Sequence, residues 1–171
     1  SAEAFYKGYG HYPFSVNDSI SLANKGADFG VIGDERLTST SEGRAYGAEF
    51  QTRITGKGFN LNLSYTLVRS EFTDWKGAFI PSSWDSKHLL VLTSTKEMKR
   101  NWRTGIRWRY VGGLPYTPWD LEKSALVEVW NLTGGPSPDN ARLNSARYNP
   151  FHQLDVRIDK AWYLNRVTAK F

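Results

Sequence analysis

One segment of the chain, residues 101–116, alternates between aromatic or apolar positions and basic ones. Its first ten residues place Trp102, Thr104, Ile106, Trp108 and Tyr110 on one face, opposite Arg103, Gly105, Arg107 and Arg109. A period of two residues predicts a β-strand. A soluble core could not hold several unpaired guanidinium groups. A wall with lipid on one side and water on the other would suit both faces.

The same period recurs along the rest of the chain. The further predicted strands are residues 3–9, 43–55, 59–67, 86–96, 151–163 and 167–171. Gly56-Lys57-Gly58 joins two of them in a tight hairpin. The register of residues 86–96 is the hardest to predict, because residues 89–92 are all apolar and would occupy both faces.

Long and short connections alternate between the predicted strands. Residues 11–42, 69–85 and 114–150 are long, whereas residues 56–58, 97–100 and 164–166 are short. Outer-membrane barrels sort their connections in this way, with short turns in the periplasm and long loops outside. The pattern therefore predicts an all-β fold, an antiparallel transmembrane β-barrel segment of about seven strands. Because bacterial single-chain barrels have even strand numbers, we expect these strands to belong to a larger barrel.

Each strand then has a predicted lipid-facing and a predicted lumen-facing set of side chains. The lipid-facing set is Tyr46, Phe50, Leu61, Leu63, Tyr65, Trp102, Ile106, Trp108, Tyr110, Leu154, Val156 and Ile158. The lumen-facing set is Glu49, Arg53, Arg103, Arg107, Arg109, Asp155, Arg157 and Asp159. A register slip of one residue would turn Arg107 and Arg109 towards lipid, at about 2–4 kcal/mol each near the bilayer midplane.

Composition agrees with this pattern. Aromatic residues make up 15% of the chain although the mean hydropathy is -0.52, as expected when every second strand residue faces water. No apolar run approaches the roughly 18 residues of a membrane helix. The net charge of +5 would permit nucleic acid as a partner. However, the alternation separates the arginines of residues 101–116 from the aromatics, so nucleic acid is not the expected partner.

Candidates for catalysis and metal binding are weak. Three carboxylates, Glu49, Asp155 and Asp159, could suggest a glycosidase pair. Glu49 lies on a different strand from Asp155 and Asp159, and all three have basic neighbours, which favours charge networks lining a wall. The three histidines, His11, His88 and His152, lack ligand spacing, and the chain has no cysteine. The sequence therefore predicts no enzyme, no metal and no cofactor.

The long connections contain the candidate ligand-binding residues. These are Trp75, Trp84, Trp119, Asp120, Trp130 and Asn131. Amphipathic indole rings supply binding area at low entropic cost, so some of them could form an outer ligand-binding mouth or contact a partner. Packing within the loops, or an aromatic girdle at the membrane surface, is an equally good interpretation.

Several motifs together resemble a known family. They are Gly-Ile-Arg-Trp-Arg-Tyr-Val-Gly-Gly-Leu-Pro-Tyr-Thr-Pro at residues 105–118, Trp-Asp-Ser-Lys-His-Leu-Leu at 84–90, and Phe-His-Gln-Leu-Asp-Val-Arg-Ile-Asp-Lys at 151–160. Residues 21–30 and 43–50 add weaker matches. The combination resembles the C-terminal barrel portion of a TonB-dependent outer-membrane receptor of the Bacteroidetes, SusC-like type.

The resemblance implies a 22-stranded plugged barrel in the outer membrane of a Gram-negative bacterium, importing bulky nutrients with energy passed through TonB. Residues 1–171 would be a partial barrel, without the plug domain, the remaining strands or the TonB-contacting segment. Implied partners are those missing parts of the receptor, TonB, membrane lipid and a SusD-like surface lipoprotein. Residues 112–116 would mark where a strand rising from the periplasm leaves the membrane. The alternatives are a soluble extracellular carbohydrate-binding β-domain, and a passive porin or secretion barrel.

Overall fold

The computed structural model describes residues 1–25, 33–164 and 167–170, with the backbone alone for residues 163–164 and 167–170. Strands contain 61% of the chain. This share is far above the roughly 20–25% of typical globular domains. The predicted all-β class is therefore confirmed.

The elements follow one another in this order: β1 (Ala2–Ser15), β2 (Ile20–Ser21), α1 (Leu22–Lys25), β3 (Leu37–Gly56), β4 (Phe59–Thr73), β5 (Phe79–Pro81), β6 (Lys87–Met98), β7 (Trp102–Val111), β8 (Pro115–Tyr116), α2 (Leu121–Ser124), α3 (Val127–Thr133), β9 (Ala146–Arg147), β10 (Phe151–Leu164) and β11 (Val167–Lys170). Single 3-10 turns lie at Lys99–Asn101 and Asn140–Arg142. No helix within the described ranges is long and apolar enough to cross a membrane.

Seven of the strands form a meander in which each pairs with the next along the chain. Their order is β1, β3, β4, β6, β7, β10 and β11, and every pairing is antiparallel. β2 extends the sheet beside β1, β5 pairs with β4, and β8 and β9 form a separate ribbon. The described strands form an open sheet that does not close on itself.

Three strands run beyond their predicted ends. Residues 11–15, 37–42 and 69–73 were predicted as connections, but they extend β1, β3 and β4. The ladder between β1 and β3 is irregular between Tyr9 and Tyr12 and again between Tyr12 and Phe14. Such irregularities shift the alternation of side chains, so this part of the ladder has no period of two in the sequence. The long connection predicted at residues 114–150 contains the short elements β8, α2, α3 and β9.

Short and long connections lie at opposite ends of the sheet. β3 and β4 are joined through Lys57 and Gly58, and Gly58 has a φ of 68°. The turn from β6 to β7 is Lys99–Asn101, with positive φ at Arg100 and Asn101. The backbone pairs Leu164 with Val167 across the third short turn, whose residues 165–166 lie outside the described ranges. The predicted strand end Phe171 lies outside them as well.

The register separates the side chains into two chemically distinct faces. Residues that pair directly across an antiparallel sheet project from the same face. One row runs from Phe50 through Tyr65, Leu90 and Tyr110 to His152. The whole predicted lipid-facing set shares the face of this row, which we call the apolar face, and the whole predicted lumen-facing set shares the opposite, polar face.

The pairing also fixes the uncertain register of residues 86–96. Leu90 and Leu92 lie opposite Tyr65 and Leu63, on the apolar face. Leu89 and Val91 therefore belong to the polar face, where the neighbouring strands carry serine, threonine and arginine.

The apolar face has no covering layer. Ala23 and Phe72 are the buried hydrophobic residues of the described chain. On β10, by contrast, Leu154 and Val156 are each 64% exposed and Ile158 is 61% exposed. Burying apolar surface is the main favourable term in folding. This sheet buries little apolar surface within the chain, so that stabilisation must come from whatever covers the apolar face.

A glycine allows close approach at the centre of the sheet. A Cβ atom at Gly47 would lie 2.1 Å from the carbonyl oxygen of Leu67 and 3.0 Å from the ring of Phe5. We expect Gly47→Ala to lower the free energy of unfolding by about 1–3 kcal/mol through overpacking. The midpoint of urea unfolding measures this effect. Gly8→Ala is the matched control in β1, because no atom lies within 4 Å of its added Cβ. Equal midpoints for the two variants would contradict the close approach.

Candidate functional site

The buried polar residues of the described chain gather at the end of the sheet where the long connections lie. They are Ser15, Ser21, Asn24, Ser41, Ser70, Glu71, Thr73, Ser82, Asp85, Ser86 and Asn144. Buried polar groups are stable only when they are hydrogen-bonded. Most of the side-chain bonds that join different connections involve four residues: Asn24, Asp85, Asn144 and Arg147. We call these four the loop hub.

Asp85 is the charged centre of the loop hub and is fully buried. Its Oδ1 accepts the backbone N–H of Ser70 on β4 at 2.8 Å. Its Oδ2 forms an ion pair with Arg147 and lies 3.5 Å from Nε of Arg69. Arg147 also donates to the carbonyl oxygens of Asp85 and, at 2.8 Å, of Gly113. The carboxylate therefore connects the sheet to the connections at residues 74–86 and 112–150.

Two asparagine side chains join the remaining long connection, which contains Asn24, to the other two. Nδ2 of Asn24 donates to the carbonyl oxygens of Ile80 and Pro81 at 2.9 and 3.1 Å. Nδ2 of Asn144 donates to Asn24 O and Pro81 O, both at 2.8 Å. Asn144 has a φ of 50°, a conformation that asparagine tolerates better than most residues. The three long connections are thus joined to one another by side chain-to-backbone bonds.

A second ionic cluster lies where the apolar face meets the long connections. Glu71 accepts from Arg44 at 2.7 Å and from Arg69 at 2.9 Å. The guanidinium carbon of Arg44 lies 4.1 Å from the ring centroid of Phe79 and 5.6 Å from that of Tyr46. Arg44 and Arg69 at this end of the apolar face therefore each have a carboxylate partner within the chain.

The candidate ligand-binding residues do not form one cluster. Trp75 and Trp84 belong to the connection at residues 74–86, and the other four belong to residues 112–150. Within the described chain, no two of the four indole rings stack on each other. Their role in binding stays a prediction.

Three of these six residues have structural contacts within their own loop. Asp120 caps α2 by accepting the N–H of Lys123 at 3.1 Å. The indole N–H of Trp130 donates to Ser124 O at 2.6 Å. Trp119 pairs its backbone with Pro138. These contacts favour the interpretation that the three residues pack within the loop, over the interpretation that they bind a ligand. Asn131 is exposed on α3.

The tryptophans of the connection at residues 74–86 have different surroundings. Trp84 packs edge-on against Phe72, with ring centroids 6.2 Å apart. Trp75 is 67% exposed and lines an open groove of about 410 Å³ with Phe79, Glu42 and Asp74. Aromatic rings beside carboxylates suit a sugar or a cationic group. Trp75 is the most exposed of the four predicted loop tryptophans, and Lys76 Nζ lies 4.9 Å from its ring centroid.

The polar face carries a network of charged and amide side chains. Arg109 donates to Gln153 at 2.7 Å, Gln153 donates to Asp155 at 3.0 Å, and Arg157 pairs with Asp159 at 2.8 Å. Asp155 and Asp159 are thus engaged by neighbours on their own face. No group of three or more potential metal ligands occurs within the described ranges.

The loop hub was not predicted from the sequence. Asp85 and Arg147 are separated by 62 positions, and Asn24 and Asn144 by 120. Polar residues among glycines and prolines have the ordinary composition of loops. The only sequence motif near the loop hub is at residues 84–90. It contributed to the family resemblance, and no structural role was predicted from it.

Removing the charge of Asp85 tests the loop hub. Asp85→Asn would leave Arg147 without its buried counter-charge and would leave Arg69 with Glu71 alone. We expect the free energy of unfolding to fall by about 3 kcal/mol, at the low end for a broken buried ion pair because Arg147 is 24% exposed. Thermal unfolding followed by circular dichroism measures the loss. Asp139→Asn, which breaks the exposed pair with Arg142, should have a much smaller effect. Equal losses would contradict the central role of Asp85.

A salt bridge across the first long connection gives a pH-dependent contribution. Lys25 Nζ lies 2.7 Å from both Asp18 and Glu35, and its hydrogen bond lowers the pKa of Glu35 to about 2. A lowered carboxyl pKa stabilises the folded state above the unfolded pKa of about 4.5. This stability is lost as the pH falls through about 2.

We therefore expect wild type to melt at a higher temperature than Glu35→Gln at neutral pH. The difference should be constant above about pH 4.5 and should shrink towards pH 2. Thermal melts across this range provide the measurement. A difference that stays constant down to pH 2 would show that the charge of Glu35 contributes nothing.

Comparison of the chain with protein-family models, with curated proteins and with solved structures finds no match. Function is therefore inferred from the two faces of the sheet, the loop hub and the sequence motifs.

Proposed function

We propose that this chain forms part of the wall of an outer-membrane barrel, in an active nutrient importer of the TonB-dependent type. The observation that carries the proposal is the uncovered apolar face. Its residues extend over successive strands of the sheet, while Ala23 and Phe72 are the buried hydrophobic residues of the described chain. Lipid would cover this face without any second layer of protein.

Exposing the apolar face to water would cost hydrophobic free energy. Burying one large aliphatic side chain is worth about 1.5–3 kcal/mol relative to exposure. Leu154, Val156, Ile158 and Ile106 all lie on the apolar face and are each at least 46% exposed. A stable domain in water would need another layer over them, and a bilayer supplies one.

The height of the apolar face suits a bilayer. On β3, the face runs from Tyr46 to Ile54, eight residues along an extended strand. At about 3.4 Å per residue, this span is roughly 27 Å before any tilt. Outer-membrane barrels carry an apolar band about 25 Å tall.

Aromatic side chains lie near both ends of this face. Tyr6 stacks on Tyr46 near the long connections, with ring centroids 6.5 Å apart. At the other end, Trp102 and Trp162 lie on the same face of neighbouring strands. Two such girdles at the lipid–water boundaries are typical of membrane barrels.

The orientation follows from the connections. Short turns would face the periplasm and the long connections the exterior. The polar face would line the water-filled lumen, and the loop hub would hold the three long connections as one unit above it. In this mechanism the wall is passive. Plug movement and coupling to TonB belong to other parts of the receptor, and the long connections are the surface available to a SusD-like lipoprotein.

The groove beside Trp75 favours a second candidate, a soluble extracellular carbohydrate-binding β-domain. In that case the chain would fold in plain buffer, and the apolar face would be covered by another protein surface. Behaviour without detergent separates the two functions.

Membrane insertion is the experiment that tests the proposal. We expect the purified protein to need detergent for solubility and to float with phosphatidylcholine vesicles in a density gradient. Ile106→Arg should weaken insertion by about 2–4 kcal/mol because it places a guanidinium in hydrocarbon. Thr95→Arg is the matched control, since Thr95 lies on the polar face beside Gly105. A folded, monodisperse protein in detergent-free buffer would refute the proposal.

A further inference from the structure

The end of the apolar face near the short turns carries a row of cations. Lys96 and Lys160 project from the apolar face itself, in register with Thr104 and Trp102 respectively. Three more cations lie in the adjacent short turns. We call the five residues the basic rim: Lys57, Lys96, Lys99, Arg100 and Lys160.

The basic rim is not neutralised within the chain. None of the ion pairs formed by described residues includes any of its five members. The nearest carboxylates in sequence, Glu97 and Asp159, belong to the polar face, where both are in register with Arg103. Glu97 pairs with Arg103 at 3.7 Å and Asp159 with Arg157 at 2.8 Å.

The two ends of the apolar face therefore differ in how their cations are paired. At the end with long connections, Arg44 and Arg69 share Glu71 as a carboxylate partner. At the end with short turns, the cations lack a carboxylate partner. Unneutralised charge next to an apolar surface suits an anion attached to an apolar group.

Lys160 has the geometry of an interfacial cation. Its ammonium lies 5.1 Å from the ring centroid of Trp102 and 5.9 Å from that of Trp162, and it donates to Arg100 O. A depression of about 430 Å³ lies beside it; Met98 and Trp102 line it from the apolar face, whereas Glu97, Arg103, Arg157 and Asp159 line it from the polar face. Lys96 lies two strands away, roughly 10 Å across the sheet, and two residues away, roughly 7 Å, along it. Long lysine side chains at this separation can reach one headgroup phosphate on the apolar face.

We propose that the basic rim binds an anionic phospholipid in the periplasmic leaflet. The headgroup phosphate lies between Lys96 and Lys160, and the acyl chains run along the apolar face past Ile158 and Ile106. Basic residues at a membrane surface attract anionic lipid, and tryptophans hold the adjoining glycerol region. The inference rests on the proposed membrane location. A free phosphate ion would use the cations but not the apolar face.

The test compares lipids that differ only in headgroup. The full-length protein in detergent is mixed with equal amounts of phosphatidylglycerol and phosphatidylcholine of the same acyl chains, and bound lipid is counted by native mass spectrometry. We expect wild type to prefer phosphatidylglycerol. The double variant Lys96→Gln/Lys160→Gln should lose roughly tenfold in that preference.

Two control variants distinguish an effect of charge at the basic rim from an effect of charge elsewhere and from an effect of misfolding. Lys96→Arg/Lys160→Arg keeps the charge and should keep the preference. Lys76→Gln/Lys123→Gln removes two cations from the long connections and should leave it unchanged. Equal binding of both lipids by wild type, or an unchanged preference in the glutamine variant, would overturn the proposal. Displacement of bound phosphatidylglycerol by inorganic phosphate would overturn it too, because the acyl chains would then contribute nothing.

Flotation with phosphatidylcholine vesicles distinguishes this inference from the proposed function. A protein that enters these vesicles but lacks any headgroup preference refutes the basic rim alone. A protein that enters no vesicle of either lipid refutes the membrane location, and the basic rim with it.

Discussion

The antiparallel register of the seven long strands is the constraint on which the other features depend. Direct pairing keeps Phe50, Tyr65, Leu90 and Tyr110 in one row on one face. A shift of one residue in any strand would exchange its apolar and charged side chains. The register therefore decides the chemistry of both faces, and the short turns between β3 and β4 and between β6 and β7 help to set it.

The loop hub holds the long connections together by polar contacts and not by apolar packing. The long connections leave the sheet where lipid would no longer cover them, and most of their large apolar side chains are exposed. Burying Asp85 carries a desolvation cost, which the bonds from Ser70 and Arg147 offset. Such a cluster favours one arrangement of the connections, because the Asp85 carboxylate and the amide nitrogens of Asn24 and Asn144 bond to particular partners.

The sequence predicted the faces well and the connections poorly, for physical reasons. Alternation is a local property, so Trp108 and Arg107 could be assigned to opposite faces from their immediate neighbours. The extensions of β1 and β3 were missed because the irregular pairing around Tyr12 breaks the period. The Asp85–Arg147 pair was missed because it joins residues far apart in the chain. Residue spacing in the sequence cannot predict a contact between segments that only folding brings together.

The route of the Arg147 side chain has a mechanical consequence. Arg147 holds Gly113 and Asp85 together, and Asp85 in turn holds the backbone of β4 at Ser70. A displacement of the connection between β7 and β10 can therefore reach β4 in the middle of the sheet through two side chains, in addition to the covalent path through β7 and β10.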